Sequence, residues 1–417
     1  MFDIDNYKEI WATIARNKTR SILTAFGVSW GLFMFIILVG FGNGFRQGIM
    51  DNFKGFASNS CFFYTERTSE AYKGHRKGRY WSMNSKDLRL IREKALSVEY
   101  LAPMIFADGT SVRGNKTGSY TGCGVFPDQF NIQNMEVEYG RLINDIDIQE
   151  RRKVCFIGKE VYETLFDIGE NPLGQNIRVG GIYYQVVGVG KPVARSINVG
   201  SYPPRTVYIP FTTLQQTVSR GDAFYFLGCT AKPGFRASMV VEEVKEIIKT
   251  NHDISPTDQK AMGSFNLEEE FRNINNLFNG INILIWIVGM GALLSGIIGI
   301  SNIMLVTVRE RMREIGVRRA IGAKPLTILT QILSESFVLT TIAGMAGFIF
   351  GVLILFALQQ LMASSTPDGG SLVIIPFVSF NLALVAMAIL IVSSLLAGLM
   401  PALRALSIKA IDAIRDE

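Results

Sequence analysis

Residues 306–325 read VTVRERMREIGVRRAIGAKP, a short charged segment between two long apolar runs. Six basic residues, Arg309, Arg311, Arg313, Arg318, Arg319 and Lys324, stand here against only Glu310 and Glu314. Residues 273–308 before the segment carry no charge, and residues 336–367 after it carry none either. Each run exceeds the roughly 20 apolar residues that cross a bilayer, so both read as membrane helices and the segment as a tight connection at one membrane face. Its basic excess assigns that face to the cytoplasm, because short loops rich in Lys and Arg are retained inside. Val308, Met312 and Ile315 recur at helical spacing, and Glu314 precedes Arg318 by four residues, the favourable orientation for a helical ion pair. Gly322 can supply a left-handed cap, and Pro325 suits the first turn of the next helix. The pattern predicts a short amphipathic helix over 309–324, joined directly to the second span. A basic loop that only sets topology is the plainer alternative.

Working outward, composition agrees with a membrane protein that also has a large exposed part. Of 417 residues, 48% are hydrophobic, and the mean hydropathy is +0.24. The net charge of +6 would suit nucleic acid, but 13 of the 42 basic residues fall in 1–20, 309–324 and 401–417, the segments assigned to the cytoplasm. That is the signature of membrane topology, so no nucleic-acid partner is expected. Ile4, Tyr7, Trp11 and Ile14 form an apolar stripe followed by Arg16, Lys18 and Arg20, which predicts an amphipathic helix over 1–20 lying on membrane lipid. Residues 21–45 are charge-free, too long for a signal-peptide core and followed by no convincing cleavage site, and read as the first span with the N-terminus inside. Gly27 and Gly31 make a GxxxG pair within it.

The second span has an outer extension. In 268–308, Phe271, Ile274, Phe278 and Ile281 recur as in a coiled-coil seam, with no turn residue before the membrane, so a stalk helix is expected to run unbroken into the bilayer. The third span, 325–362, carries Ala343, Gly347 and Gly351 as a small-residue stripe for helix packing. Glu335 interrupts it near the inner end and reads as interfacial. The 363–376 loop lacks Lys and Arg, as an outer loop should; 377–400 is a fourth span, and 401–417, with Arg404, Lys409 and Arg415, a cytoplasmic helix.

Residues 46–270 have ordinary globular composition and, by this topology, lie outside the cytoplasm. Strands are expected at 61–65, around 101–125, and at 153–158, 176–179, 183–189, 206–209 and 223–230, with helices from Ser85 and over 237–250. The order suggests an α+β part, about 58–125 and 223–267, interrupted by a β-rich part, about 126–222. The predicted fold class is therefore four transmembrane α-helices plus a large extracytoplasmic α+β domain with an inserted β-rich subdomain. No catalytic constellation is visible. His75 and His252 have no metal-site neighbours, and no metal is expected. Cys61, Cys123, Cys155 and Cys229 all fall in the exported domain, where one disulfide is possible and buried free thiols are favoured. The basic loop from Lys73 to Tyr80 reads as solvated.

These residues also carry a resemblance. The run from Asn302, NIMLVTVRERMREIGVRRAIGAKPLTILTQILSES, resembles the signature of the MacB/FtsX family of ABC-transporter permeases in its E-I-G, R-R-A-I-G-A and E-S elements. ARNKTRSILTAFGVSWG at the first span, NPLGQNIRVGGIYYQVVGV and VYIPFTTLQ outside, and PALRALSIKAIDAIRDE at the end extend the likeness along the chain. The resemblance implies a MacB-like periplasmic core over 46–270 and a bacterial inner-membrane location. It also implies a second permease subunit forming a homodimer, and admits two accessories of the family, a periplasmic adaptor and an outer-membrane channel. Arg309, Glu310, Arg311, Met312, Arg313, Glu314, Ile315, Gly316, Arg318, Arg319, Gly322 and Lys324 would form the coupling helix that docks on an ATPase. MacB itself carries its ATPase on the same chain, whereas no G-x-x-x-x-G-K-[ST] occurs here, so ATP and Mg are expected on a separate ATPase subunit. Export driven by mechanotransmission is the leading expectation. An FtsX-like transmitter that activates an extracytoplasmic hydrolase, or Lol-like lipoprotein release, is the alternative.

Overall fold

The structure, a computed structural model, describes residues 18–53, 55–191, 200–218, 221–364 and 380–406. The stripe from Ile4 to Ile14, most of the outer loop after the third span and the C-terminal residues from 407 onward lie outside the described residues. The chain forms two compact units, Ile49–Asn276 and Met1–Gly48 with Leu277–Glu417.

The second unit is helical. Among the described residues, the helices Lys18–Phe53, Leu267–Glu310, Pro325–Ser364 and Phe380–Leu406 contain stretches long and apolar enough to cross a bilayer. At 1.5 Å per residue, the 44-residue helix Leu267–Glu310 is about 66 Å long, well beyond the thickness of a bilayer core. No proline interrupts it, and no charged residue stands between Arg272 and Arg309.

Small residues set how closely these helices approach. A Cβ at Gly31 would lie 3.0 Å from the carbonyl oxygen of Ala292, and one at Gly27 would lie 3.7 Å from the Cα of Gly296, so the GxxxG pair of the first helix receives the second. On the third helix, Gly347 faces the Ser29 carbonyl, and a Cβ at Gly351 would lie 3.2 Å from Ile36 Cγ2. The first helix is thus held by glycines on two neighbours. Around these contacts Leu32, Phe35, Ile36, Leu293 and Leu355 are buried together.

The first unit is built on ten strands: β1 (Ser60–Thr65), β2 (Val98–Arg113), β3 (Lys116–Val125), β4 (Glu136–Gly140), β5 (Val154–Ile157), β6 (Asn176–Val179), β7 (Ile182–Lys191), β8 (Thr206–Pro210), β9 (Phe226–Ala231) and β10 (Met262–Asn266). They follow the order β10-β1-β9-β2-β3-β8-β5-β7-β4, with β6 pairing β2 and β7. The sixteen-residue β2 belongs to both halves of the domain. Its start, Val98 to Met104, pairs with β9, and Ile105 to Arg113 pairs with β3. β3 then runs parallel to β8. Residues 105–125 therefore lie in the same sheet as the strands of 126–222, so the boundary expected at 125 falls inside that sheet.

Two cores lie in this unit. Phe62, Phe63, Leu101, Leu227, Val240 and Val244 are buried in one, and Ile157, Val186, Val189, Val207 and Ile209 in the other. Local chemistry explains several helices. Asn84 caps Ser85–Lys94 in a reciprocal capping box with Asp87, and Glu268 accepts the Ala237 amide at 2.6 Å at the start of Ala237–Asn251. The segment 126–222 also holds short helices, Asp128–Ile132, Asp145–Gln149, Lys159–Leu165 and Phe211–Thr217, which strand patterning did not anticipate. The four cysteines are free and buried; Cys61 and Cys229 stand opposite each other across β1 and β9. Burial pushes the Cys123 and Cys155 thiols up from their ordinary range, so neither is a reactive thiolate.

Candidate functional site

The charged turn folds as a nine-residue helix, Met312–Ala320, between Leu267–Glu310 and Pro325–Ser364. Its join to the second membrane helix is not smooth, which corrects the direct continuation expected from sequence. Arg311 adopts φ −100° and ψ 13°, which interrupts the helix, although its amide still donates to Thr307 O at 3.0 Å and its carbonyl accepts from Ile315 N at 3.0 Å. At the other end Gly322 takes φ +98°, a left-handed conformation that glycine adopts at low cost, and Ala323 N donates to Arg318 O at 3.0 Å. Pro325 opens the third helix, where its missing amide hydrogen costs nothing.

The apolar side of the turn faces the membrane helices. Val308 and Ile315 are buried in a cluster with Ile300, Met304, Ile328, Ile332, Ala397 and Ala402. Gly316 is buried beside them, and Met312 is half-buried. Arg309, Glu310, Arg313, Gly322 and Lys324 are exposed, and Arg319 is half-buried.

The polar side forms a chain of ion pairs and hydrogen bonds. Arg311 grips Glu314 with both arms, Nε to Oε2 at 3.0 Å and Nη2 to Oε1 at 3.2 Å, and reaches Glu335 Oε1 through Nη1 at 2.9 Å. Glu314 Oε1 meets Arg318 Nη2 at 2.8 Å, and Arg318 Nη1 donates to Gln331 Oε1 at 3.1 Å. The Glu314–Arg318 pair is the one the spacing predicted. Burial works against the Arg311 charge, but its hydrogen bonds to Glu314 and Glu335 outweigh that and hold its pKa above the ordinary value. The Arg311 hydrogen bond in turn holds the Glu314 carboxyl below its ordinary range.

Glu335 reads from the sequence as interfacial, and its partner is not evident there. Glu335 is only 6% exposed, with its carboxylate on Arg311. The signal was nonetheless present: an acid in an apolar run demands a counter-charge, and Gln331 lies four residues earlier on the same helical face.

The seam residues of the long helix find partners on the helix Lys18–Phe53. Within the first unit the Phe271 ring lies tilted against Phe53 with centroids 4.8 Å apart, and both Phe271 and Ile274 pack against the domain core. Within the helical unit Phe278 is buried and meets Phe45 edge-on at 5.7 Å, with Ile281 half-buried. Among the described residues no group of His, Cys, Asp and Glu is arranged to hold a metal ion. His252 is instead paired with the buried Asp87 at 2.8 Å, within the domain.

Comparison with known proteins gives the family of the chain. Residues 21–247 match the model of the MacB-like periplasmic core domain, and residues 286–410 that of the FtsX-like permease C-terminal. The macrolide export ATP-binding/permease protein MacB of Aggregatibacter actinomycetemcomitans is 27% identical over 81% of this chain and 51% of its own length. The ABC transporter permease YknZ of Bacillus subtilis is 26% identical over 84% of this chain and 85% of its own. The pyoverdine export ATP-binding/permease protein PvdT of Pseudomonas entomophila is 26% identical over 99% and 60%. The chain thus spans about half the length of the MacB relative. Among solved structures, the periplasmic region of MacB from Actinobacillus actinomycetemcomitans aligns over 55% of this chain and 98% of its own at 18% identity and a TM-score of 0.43. By the two domain matches, which include the charged turn and its flanking spans, the chain belongs to the MacB/FtsX family of ABC-transporter permeases, multi-pass membrane proteins with a MacB-like periplasmic core.

Proposed function

We propose that this permease couples ATP hydrolysis by a separate cytoplasmic ATPase to movement of its periplasmic domain, and that this movement drives export. The observation that carries the reading is the two-sided turn: Val308 and Ile315 root it among the membrane helices while Arg309, Arg313 and Lys324 remain exposed. A segment so placed can receive a push from a docked protein and pass it to the spans. YknZ, matched over most of its length, is named as a permease alone, which supports an ATPase on another polypeptide with ATP and Mg bound there. The N-terminus, the turn and the C-terminus are cytoplasmic in this reading, two copies of the chain form the permease, and the long helix Leu267–Glu310 carries the motion outward. An adaptor and an outer-membrane channel complete the path in a two-membrane cell. The FtsX-like match also suits a transmitter that activates a periplasmic hydrolase without transport.

Purification in mild detergent tests this. The 417-residue chain by itself should hydrolyse no ATP, and an ABC ATPase should copurify with it. Arg309→Glu with Arg313→Glu should reduce that capture at least tenfold while leaving the chain folded and inserted. Robust turnover by the chain alone, or undiminished capture by the double variant, would refute the reading. Recovery of a wall hydrolase in place of export machinery would select the transmitter.

A further inference from the structure

The join at Arg311 raises a mechanical question. An interrupted helix at the membrane surface is a natural hinge, and a hinge there would absorb a push on Met312–Ala320 before it reached the spans. The chain of ion pairs and hydrogen bonds passes through this join. Arg311 sits at the interruption itself, Glu314 and Arg318 on the short helix, and Gln331 and Glu335 on the first turns of the third membrane helix. The contacts therefore tie three elements together at one point.

We infer that Arg311 and Glu335 form a latch that fastens the charged turn to the third membrane helix, so that the turn moves with the third span as well as the second. The inference rests on the reading of the turn as a coupling segment and makes both residues positioning residues for it. Several observations support it. Two cations, Arg311 and Arg318, meet two anions, Glu314 and Glu335, so each of these charges has an opposite charge in contact. The Glu335 side chain is 8% exposed and that of Arg311 20%, so water competes weakly for their bond. Arg311 uses its planar fork to hold two carboxylates at once, which a lysine cannot reproduce. An apolar contact runs alongside, because Ile315 is buried with Ile328 and Ile332 from the same turns of the third helix.

The consequence is a divided path. The third helix contacts the first through Gly347 and Gly351 and the fourth through Gly344, which lies against Leu390. A push on a latched turn is therefore distributed over the helical unit, rather than travelling up the second helix alone.

The test is a spin-label distance measurement on the full chain in nanodiscs, with labels on cysteines placed at the exposed Ala320 and Ser334. The four native thiols are buried and need no replacement. The wild-type background should give a narrow distribution. Glu335→Gln and Arg311→Gln should each broaden it at least twofold, and the double variant should be no broader than either single one. Such non-additivity requires that the two residues act through each other. Arg311→Lys, which keeps the charge and is the milder change if the neutral variants fold poorly, should fall between. Unchanged widths in the single variants, or additive broadening in the double, would overturn the latch. ATPase capture is read separately: a chain that captures no ATPase yet shows this pattern loses the coupling reading and keeps the latch.

Discussion

Leucine at Gly31 should pry the first two membrane helices apart, and the structure sets the size of the effect. A Cβ at this position would lie 3.0 Å from Ala292 O, 3.1 Å from Ala292 C and 3.3 Å from Leu293 N. All three are backbone atoms, so no side chain can rotate away and relief requires movement of a helix. For Gly31→Ala the shift is a few tenths of an ångström, and the gain in helix propensity of about 1 kcal/mol offsets it, leaving stability near wild type. Gly31→Leu adds three further carbons beyond a Cβ that already meets backbone. Overpacking of this kind costs about 1–3 kcal/mol, a factor of roughly 5 to 150 in the folding equilibrium, as Val28, Leu32 and Phe35 lose their neighbours on the second helix. Gly280, beside which a Cβ meets nothing within 4 Å, is the control, and Gly280→Ala should be neutral or stabilising. Detergent-titrated unfolding of the full chain in mixed micelles measures the series. Equal midpoints for Gly31→Leu and Gly31→Ala would refute the close approach.

Two further expectations concern topology and pH. A single cysteine at Lys324 should resist an impermeant thiol reagent in intact cells, whereas one at the fully exposed Ile168 of the domain should react, the buried native thiols staying silent; labelling at Lys324 would overturn the orientation. In the domain, the hydrogen bond from Arg113, with those from the Asp167 amide and Gln175, holds the Glu170 carboxyl down at about 2, against an ordinary value of 4.5. A depressed folded-state pKa contributes stability that is complete above the ordinary value and is lost as pH falls toward the folded one, so acidification from 4.5 toward 2 should weaken the loop that Arg113 ties down. Glu170→Gln should flatten the melting temperature across that window, and an identical pH dependence in the two proteins would show that Glu170 does not contribute.

The legible features were those in which short-range chemistry leaves one solution. Charge-free runs flanking a basic segment announce membrane helices, because lipid admits neither unpaired charge nor unsatisfied backbone. Gly322 and Pro325 mark the end of one helix and the start of the next by their backbone preferences alone. The domain strands with apolar patterning, such as β1 and β7, stand close to where the pattern puts them. β10, with the sequence MGSFN, has no such pattern and becomes a strand by pairing with β1.

The spans, the charged turn between them and the family signature can be read along the chain, since hydropathy, helix caps and a long motif are properties of consecutive residues. Which residues those patterns bring into contact is settled only by folding. Arg311 and Glu335 lie 24 positions apart, and nothing in the charge count says which of six bases answers the buried acid. The interruption at Arg311 has no Gly or Pro to announce it. Residues 101–125 read only as strands without partners, whereas the two halves of β2 pair with different strands, β9 and β3, that are far apart in the chain. Ion-pair choice, helix interruption and strand sharing depend on what the folded chain brings within a few ångströms, and a reading confined to neighbours in sequence has no access to that distance.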